Sequence, residues 1–150
     1  MIYWFTGQPS HGKTTLAKLL VNYLKSKNRN VFHVDGDDLR ALTANKNYSR
    51  LGRIGNVNSA QKIAHYLHNQ GYEVVVSLVS PYRNQREDFK KLLNYSIHEF
   101  YVHTAEIRER DSYKSLDYEE PLTNFINVDT TAISPEQSLE KILWSTEKDI

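Results

Sequence analysis

Lys13 and Thr14 close the run Gly7-Gln8-Pro9-Ser10-His11-Gly12-Lys13-Thr14, with Thr15 next. The spacing G-x-x-x-x-G-K-[ST] is that of a loop that wraps a polyphosphate. Gly7 and Gly12 let the main chain turn tightly and approach an anion with no Cβ in between. The N–H groups of the loop and the positive end of the following helix form a concave anion site. Lys13 reaches the outer phosphates of a nucleotide, and the Thr14 hydroxyl offers an oxygen to Mg²⁺. The run from Gly7 to Thr15 is therefore the expected ATP site, with ATP and Mg²⁺ as its ligands.

A second group of chemical residues follows in Asp35-Gly36-Asp37-Asp38-Leu39-Arg40. Carboxylates two residues apart share a side wherever the chain stays extended. One then serves the metal, directly or through water. The other accepts or orients the proton of a hydroxyl that attacks the γ-phosphate. Lys13 and the Asp35/Asp37 pair are the expected catalytic residues, with Thr14 and one of the two carboxylates at the metal. Turn and cap chemistry is the alternative for the same run.

The apolar run Glu73–Val79 ends in Ser80, without the acidic residue of a motor-type ATPase. This favours a small kinase that moves phosphate onto an acceptor. Ser80-Pro81 reads as the N-cap and first residue of a helix, whose start is also an anion site. Arg40, Arg50, Arg53, Arg83 and Arg86 are cations available to a second, anionic substrate. Arg40 and Arg53 stand out because they flank the loop carrying Tyr48, whose ring can stack on a base. His65 and His68 sit close on a helical pattern without a third ligand, so no metal is assigned to them.

Apolar strand-like runs alternate with helical patterns, which calls for a parallel sheet covered on both faces. Its ligands would bind beyond the carboxyl ends of the strands, where the loop, Asp35, Asp37 and Ser80 collect. The expected strands are Ile2–Phe5, Val31–Asp35, Glu73–Val79, Ile97–Val102 and Phe125–Val128. Expected helices run from Lys13 to Lys27, Asn56 to Asn69 (Ile63, Ala64 and Leu67 inward, Gly71 as stop) and Pro81 to Leu93. A short one is expected at Glu106–Arg110. Ser134-Pro135-Glu136-Gln137 opens the last with a capping-box pattern, docked by Leu139, Ile142 and Leu143. Thr43 to Gly55 is polar and poorly periodic, and is expected as loop.

A chain of 150 residues with 39% hydrophobic and 11% aromatic content suits one globular domain, residues 1–150. A formal charge of +1 gives no general pull toward nucleic acid or an anionic membrane. No cysteine is present, which removes disulfides and thiolate metal sites. With a strand expected from residue 2 and no long apolar run, neither a signal peptide nor a membrane span is expected. The expected location is the cytoplasm.

Together these residues resemble the adenylylsulfate kinase (APS kinase) family. The most specific matches are Asp35-Gly36-Asp37-Asp38-Leu39-Arg40 and Ser77-Leu78-Val79-Ser80-Pro81-Tyr82-Arg83. Tyr48-Ser49 with Arg53 and Asn56, Arg110-Asp111, Tyr118-Glu119 with Pro121, and Val128-Asp129-Thr130 extend the likeness over nearly the whole chain. The resemblance implies an α/β, three-layer P-loop kinase fold with a mainly parallel five-stranded sheet and helices on both faces. It implies phosphorylation of the 3′-hydroxyl of adenosine 5′-phosphosulfate by MgATP, and a homodimer. Asp35 would serve the metal and catalytic site, and Asp37 would hold or deprotonate the acceptor ribose. Arg40, Arg53 and Asn56 would grip the adenylylsulfate, Tyr48 would stack on its adenine, and Val79 and Ser80 would contact it. Arg110 would lie against the ATP base.

Two departures accompany the resemblance. Asn58 and Ser59 stand where the family has an arginine pair, and only Ser112–Asp117 joins the flanks of the family's Lys-rich lid. A lid excludes water and completes the acceptor site. Its shortening leaves open weaker adenylylsulfate binding, wasteful ATP hydrolysis, or another nucleotide or small-metabolite acceptor on the same fold. A non-catalytic nucleotide-binding module is the reading from a different class.

Overall fold

The structure, a computed structural model, describes residues 1–106 and 114–149. Among them, β1 (Ile2–Thr6), β2 (Val31–Asp35), β3 (Glu73–Ser77), β4 (Ile97–His103) and β5 (Ile126–Asp129) form one parallel sheet in the order β2-β3-β1-β4-β5. The helices are α1 (Lys13–Ser26), α2 (Gly36–Thr43), α3 (Arg50–Asn69), α4 (Arg83–Leu92) and α5 (Pro135–Ser145). The expected α/β class with a parallel five-stranded sheet is what forms.

Alternation along the central strand builds both cores. Ile2 and Trp4 pack with Val57, Ala60, Ala64 and Phe89 of α3 and α4. Tyr3 and Phe5 pack on the opposite face with Leu16, Leu20 and Leu24 of α1 and Ile142 of α5. Leu139 and Leu143 lean on that second core, and Ser134 and Gln137 make the reciprocal capping box. Beside the first core, Glu99 of β4 takes Arg86 Nε at 3.2 Å and Lys90 Nζ at 3.1 Å, all three buried, which bolts α4 to the sheet.

Four local expectations are corrected. Helix α2 occupies the Gly36–Thr43 run and α3 begins at Arg50, so the loop shrinks to residues 44–49. Ile63 is 37% exposed rather than inward. Strand β3 stops at Ser77, two residues short of Val79. Ser80 is not a helix cap: its φ is +39°, Tyr82 is the N-cap and α4 starts at Arg83. The Arg83 N–H is instead met by Glu119 Oε1 at 2.9 Å, a partner supplied from the far side of the chain. The expected helix at Glu106–Arg110 falls mostly outside the described residues.

Candidate active site

The carboxyl ends of β1, β2 and β3 meet beneath a cleft of about 450 Å³. Gly7 begins the phosphate loop with φ +150°, and a Cβ there would stand 2.1 Å from the Val102 carbonyl oxygen. The loop thus lies tight against β4 at a point only glycine can occupy. Gly12, at φ +103°, is the N-cap of α1, and its carbonyl accepts the Leu16 N–H at 3.0 Å. Lys13 Nζ donates to the Gln8 carbonyl at 2.7 Å. His11 is buried, and its carbonyl takes the Thr130 hydroxyl at 3.1 Å.

Asp35 is the last residue of β2 and the N-cap of α2. The turn and cap role and the site role coincide in this one carboxylate. Its Oδ2 accepts the N–H groups of Asp37 (3.1 Å) and Asp38 (3.4 Å). Its Oδ1 accepts the hydroxyls of Thr14 (3.0 Å) and Ser77 (2.8 Å). Because the chain turns into a helix at Gly36, strand alternation does not align Asp35 with Asp37. Asp37 is exposed one residue into α2, and both nevertheless line the cleft. The Thr14 hydroxyl gives its hydrogen to Asp35 and keeps lone pairs for a cation. A hydroxyl beside a carboxylate is a hard-oxygen donor set of the kind a small divalent cation takes.

Across the cleft, Arg40 Nη1 donates to the Asn45 and Asn47 carbonyls at 3.1 and 3.0 Å. Its guanidinium lies 4.0 Å from the centre of the Tyr48 ring. Arg53 Nε holds the Tyr48 carbonyl at 3.0 Å, and a Cβ on Gly52 would stand 1.9 Å from Asn47 O, so the loop is clamped onto α3. Asn56 donates to Gly36 O at 3.4 Å, while its buried Oδ1 has no partner among the described residues. A buried acceptor left unpaired is costly, and a ligand N–H or O–H would satisfy it.

Of the residues expected at the site, Pro9, Ser10, Gly12, Lys13, Thr14 and Thr15 line this cleft, as do Asp35 and Asp37. So do Arg40, Tyr48, Arg53, Asn56, Val79 and Ser80. Gly7, Gln8 and His11, also of the loop, are not among the residues that line the cleft. The Ser80 hydroxyl accepts the Trp4 indole N–H at 3.0 Å and its carbonyl takes Arg86 Nη1 at 2.7 Å, so Ser80 is tied into the wall. Arg83 and Arg86 turn away toward Glu119, Glu120 and Glu99. Arg50 lies over Tyr82 at 4.1 Å and pairs with Asp117 at 3.7 Å. Arg110 lies outside the described residues.

Two features escaped the sequence reading. Gln8 and Ser115 bond reciprocally, Nε2 to the Ser115 carbonyl at 2.8 Å and the Ser115 N–H to Oε1 at 2.9 Å. This joins the phosphate loop to a segment 107 residues away, and no local pattern announces it. His33 Nε2 lies 2.8 Å from Ser77 Oγ, the hydroxyl that donates to Asp35. Burial lowers His33 from the ordinary imidazole value, against the pull of Asp35 and Asp38. A polar residue alternating toward the sheet face was the available signal.

A phosphate loop, a hydroxyl–carboxylate pair and an opposing cationic, aromatic wall in one cleft of a parallel sheet define a P-loop nucleotide kinase. The family model for adenylylsulphate kinase matches residues 1–137, and the chain belongs to that family of ATP-using kinases, which transfer phosphate to a hydroxyl. A cytidine diphosphoramidate kinase of Campylobacter jejuni is 35% identical, the match covering 92% of this chain and 83% of that one. An adenylyl-sulfate kinase of Picosynechococcus is 29% identical over 93% of this chain and 89% of its own. The Mycobacterium tuberculosis APS kinase solved with AMPPNP and APS superposes with a TM-score of 0.82 at 20% identity, covering 97% of this chain and 96% of that one. That likeness concerns the fold. Among the described residues no helix is long and apolar enough to cross a membrane.

Proposed function

We propose that this chain uses MgATP to phosphorylate the 3′-hydroxyl of adenosine 5′-phosphosulfate, releasing ADP. The observation that carries the reading is one cleft lined by Lys13, Thr14, Asp35 and Asp37 on one side and Arg40, Tyr48, Arg53 and Asn56 on the other. Lys13 and the loop N–H groups bind the phosphates and offset negative charge as the γ-phosphoryl group moves. Asp37 accepts the ribose hydroxyl proton while that oxygen bonds to the γ-phosphorus and the bond to the ADP oxygen breaks. Thr14 would ligate Mg²⁺ directly and Asp35 would hold it from behind. When bound, that ion would supply positive charge against the negative charge of the transferring phosphoryl group. Arg40 and Arg53 face the anionic end of the acceptor, Tyr48 stacks on its base, and Asn56 Oδ1 accepts one of its donors.

A second reading changes the acceptor to cytidine diphosphoramidate. The Campylobacter relative supports it, as do Asn58 and Ser59 in place of an arginine pair. A homodimer in the cytoplasm completes the proposal, with mass by light scattering as its check. The deciding assay measures ADP release with no acceptor, with adenosine 5′-phosphosulfate and with cytidine diphosphoramidate. Release stimulated by the sulfate nucleotide is expected. Stimulation by the cytidine compound alone moves the assignment to the second reading, and release indifferent to both overturns the pair.

A further inference from the structure

From the hydrogen-bond directions around Asp35 we infer that His33 is a positioning residue of this kinase, acting through Ser77 to fix the carboxylate that orients the Thr14 hydroxyl. The inference rests on the reading of Thr14 and Asp35 as the cation site. Asp35 and Ser77 are paired across β2 and β3, and two residues earlier on β2 His33 presents its ring to the same face. Ser77 is 1% exposed, so its single hydroxyl hydrogen has few destinations. Two acceptors compete for it: Asp35 Oδ1 and His33 Nε2, each at 2.8 Å.

Charge decides the competition. A hydrogen bond to an ionised acceptor is about twice as strong as one between neutral groups, so the Ser77 hydrogen goes to Asp35. The Ser77 oxygen is then an acceptor toward His33, and Nε2 must carry a hydrogen. The chain of donation runs from His33 to Ser77 to Asp35, where the Thr14 hydroxyl donates from the other side at 3.0 Å. With four donors on two oxygens, the Asp35 carboxylate cannot rotate without losing one. The Thr14 lone pairs are thereby turned away from Asp35. Removing the imidazole frees Ser77 to turn, and a buried hydroxyl oxygen loses its donor.

The test has a spectroscopic arm and a binding arm. Long-range proton–nitrogen NMR on the metal-free protein, at about pH 8 where imidazole is ordinarily neutral, is expected to show the Nε2–H tautomer of His33. An Nδ1–H tautomer overturns the inference. Calorimetry then compares nucleotide binding with and without Mg²⁺ in the wild type, His33→Leu, His33→Gln and Ser77→Ala. The Leu and Ala variants are expected to lose about three- to ten-fold in the Mg²⁺-dependent part, the range one hydrogen bond supplies. Binding without Mg²⁺ should be unchanged. The Gln variant, which keeps an N–H at similar reach, should recover most of the loss, and His33→Leu/Ser77→Ala together should lose no more than either alone. A Leu variant equal to wild type, or a Gln variant as weak as Leu, overturns the role of His33. A wild type whose nucleotide binding ignores Mg²⁺ overturns the cation site itself, which separates the two failures.

Discussion

On the inner side of the cleft, Thr6, Ser77 and Ser80 are at most 1% exposed and bonded through the ends of the central strands. On the outer side, Tyr48 is 45% exposed, and the loop of residues 44–49 that carries it is held by the guanidinium groups of Arg40 and Arg53 and a few side-chain bonds to backbone. The inner geometry is set by sheet register and changes only with the fold. Local chemistry of a six-residue loop sets the outer geometry. On the proposed reading, acceptor choice is free to vary on a fixed phosphate-transfer floor. Relatives whose names carry a sulfate nucleotide and a cytidine nucleotide fit that division.

The largest effects are expected on the floor. Lys13→Ala removes the charge at the phosphates and should lower kcat by about 10²–10³-fold. Asp37→Asn should lower it by about 10²–10⁴-fold while nucleotide binding by calorimetry is retained. An Asn variant with wild-type turnover would remove Asp37 from the mechanism. At the rim, Tyr48→Ala should raise the acceptor KM by roughly ten-fold or more, since base stacking is worth about 1–3 kcal/mol, and leave the ATP KM alone. Equal movement of both constants would break the proposed division.

Two glycines sharpen it in stability. Gly7→Ala drives a methyl against the Val102 carbonyl and should cost about 1–3 kcal/mol in a denaturant melt. Gly55→Ala, in α3 with nothing within 4 Å of the new methyl, should instead stabilise by about 0.5–1 kcal/mol. A third stability test is Gln8→Leu. It removes both bonds to Ser115, so stability should fall by about 1 kcal/mol or somewhat more and hydrogen exchange at the Ser115 amide should speed up. An unchanged exchange rate would show that Gln8 does not hold that segment.

The inner side was legible because phosphate-loop spacing and buried Val-rich strands are local signals. The start of α3 was not, for a physical reason. The buried positions of its first two turns are Gly52, Arg53 and Asn56, so its inward face carries polar site residues where periodicity looks for apolar ones. Helix α2 buries only Gly36 and Leu39, too little to register as a stripe. Ser80-Pro81 has the composition of a helix start, yet Trp4, Thr6 and Arg86 all draw on Ser80, and that tertiary demand outweighs cap preference. The Gln8–Ser115 and His33–Ser77 contacts join residues far apart in the chain, where no local pattern announces them.

The bond between Trp4 and Ser80 also gives the molecule an optical gauge. Of its two tryptophans, Trp144 is 81% exposed and Trp4 2%. Aqueous iodide silences the first and spares the second. The emission that survives comes from an indole whose N–H rests on a residue of the cleft wall, so filling the acceptor side should shift its colour without any added label.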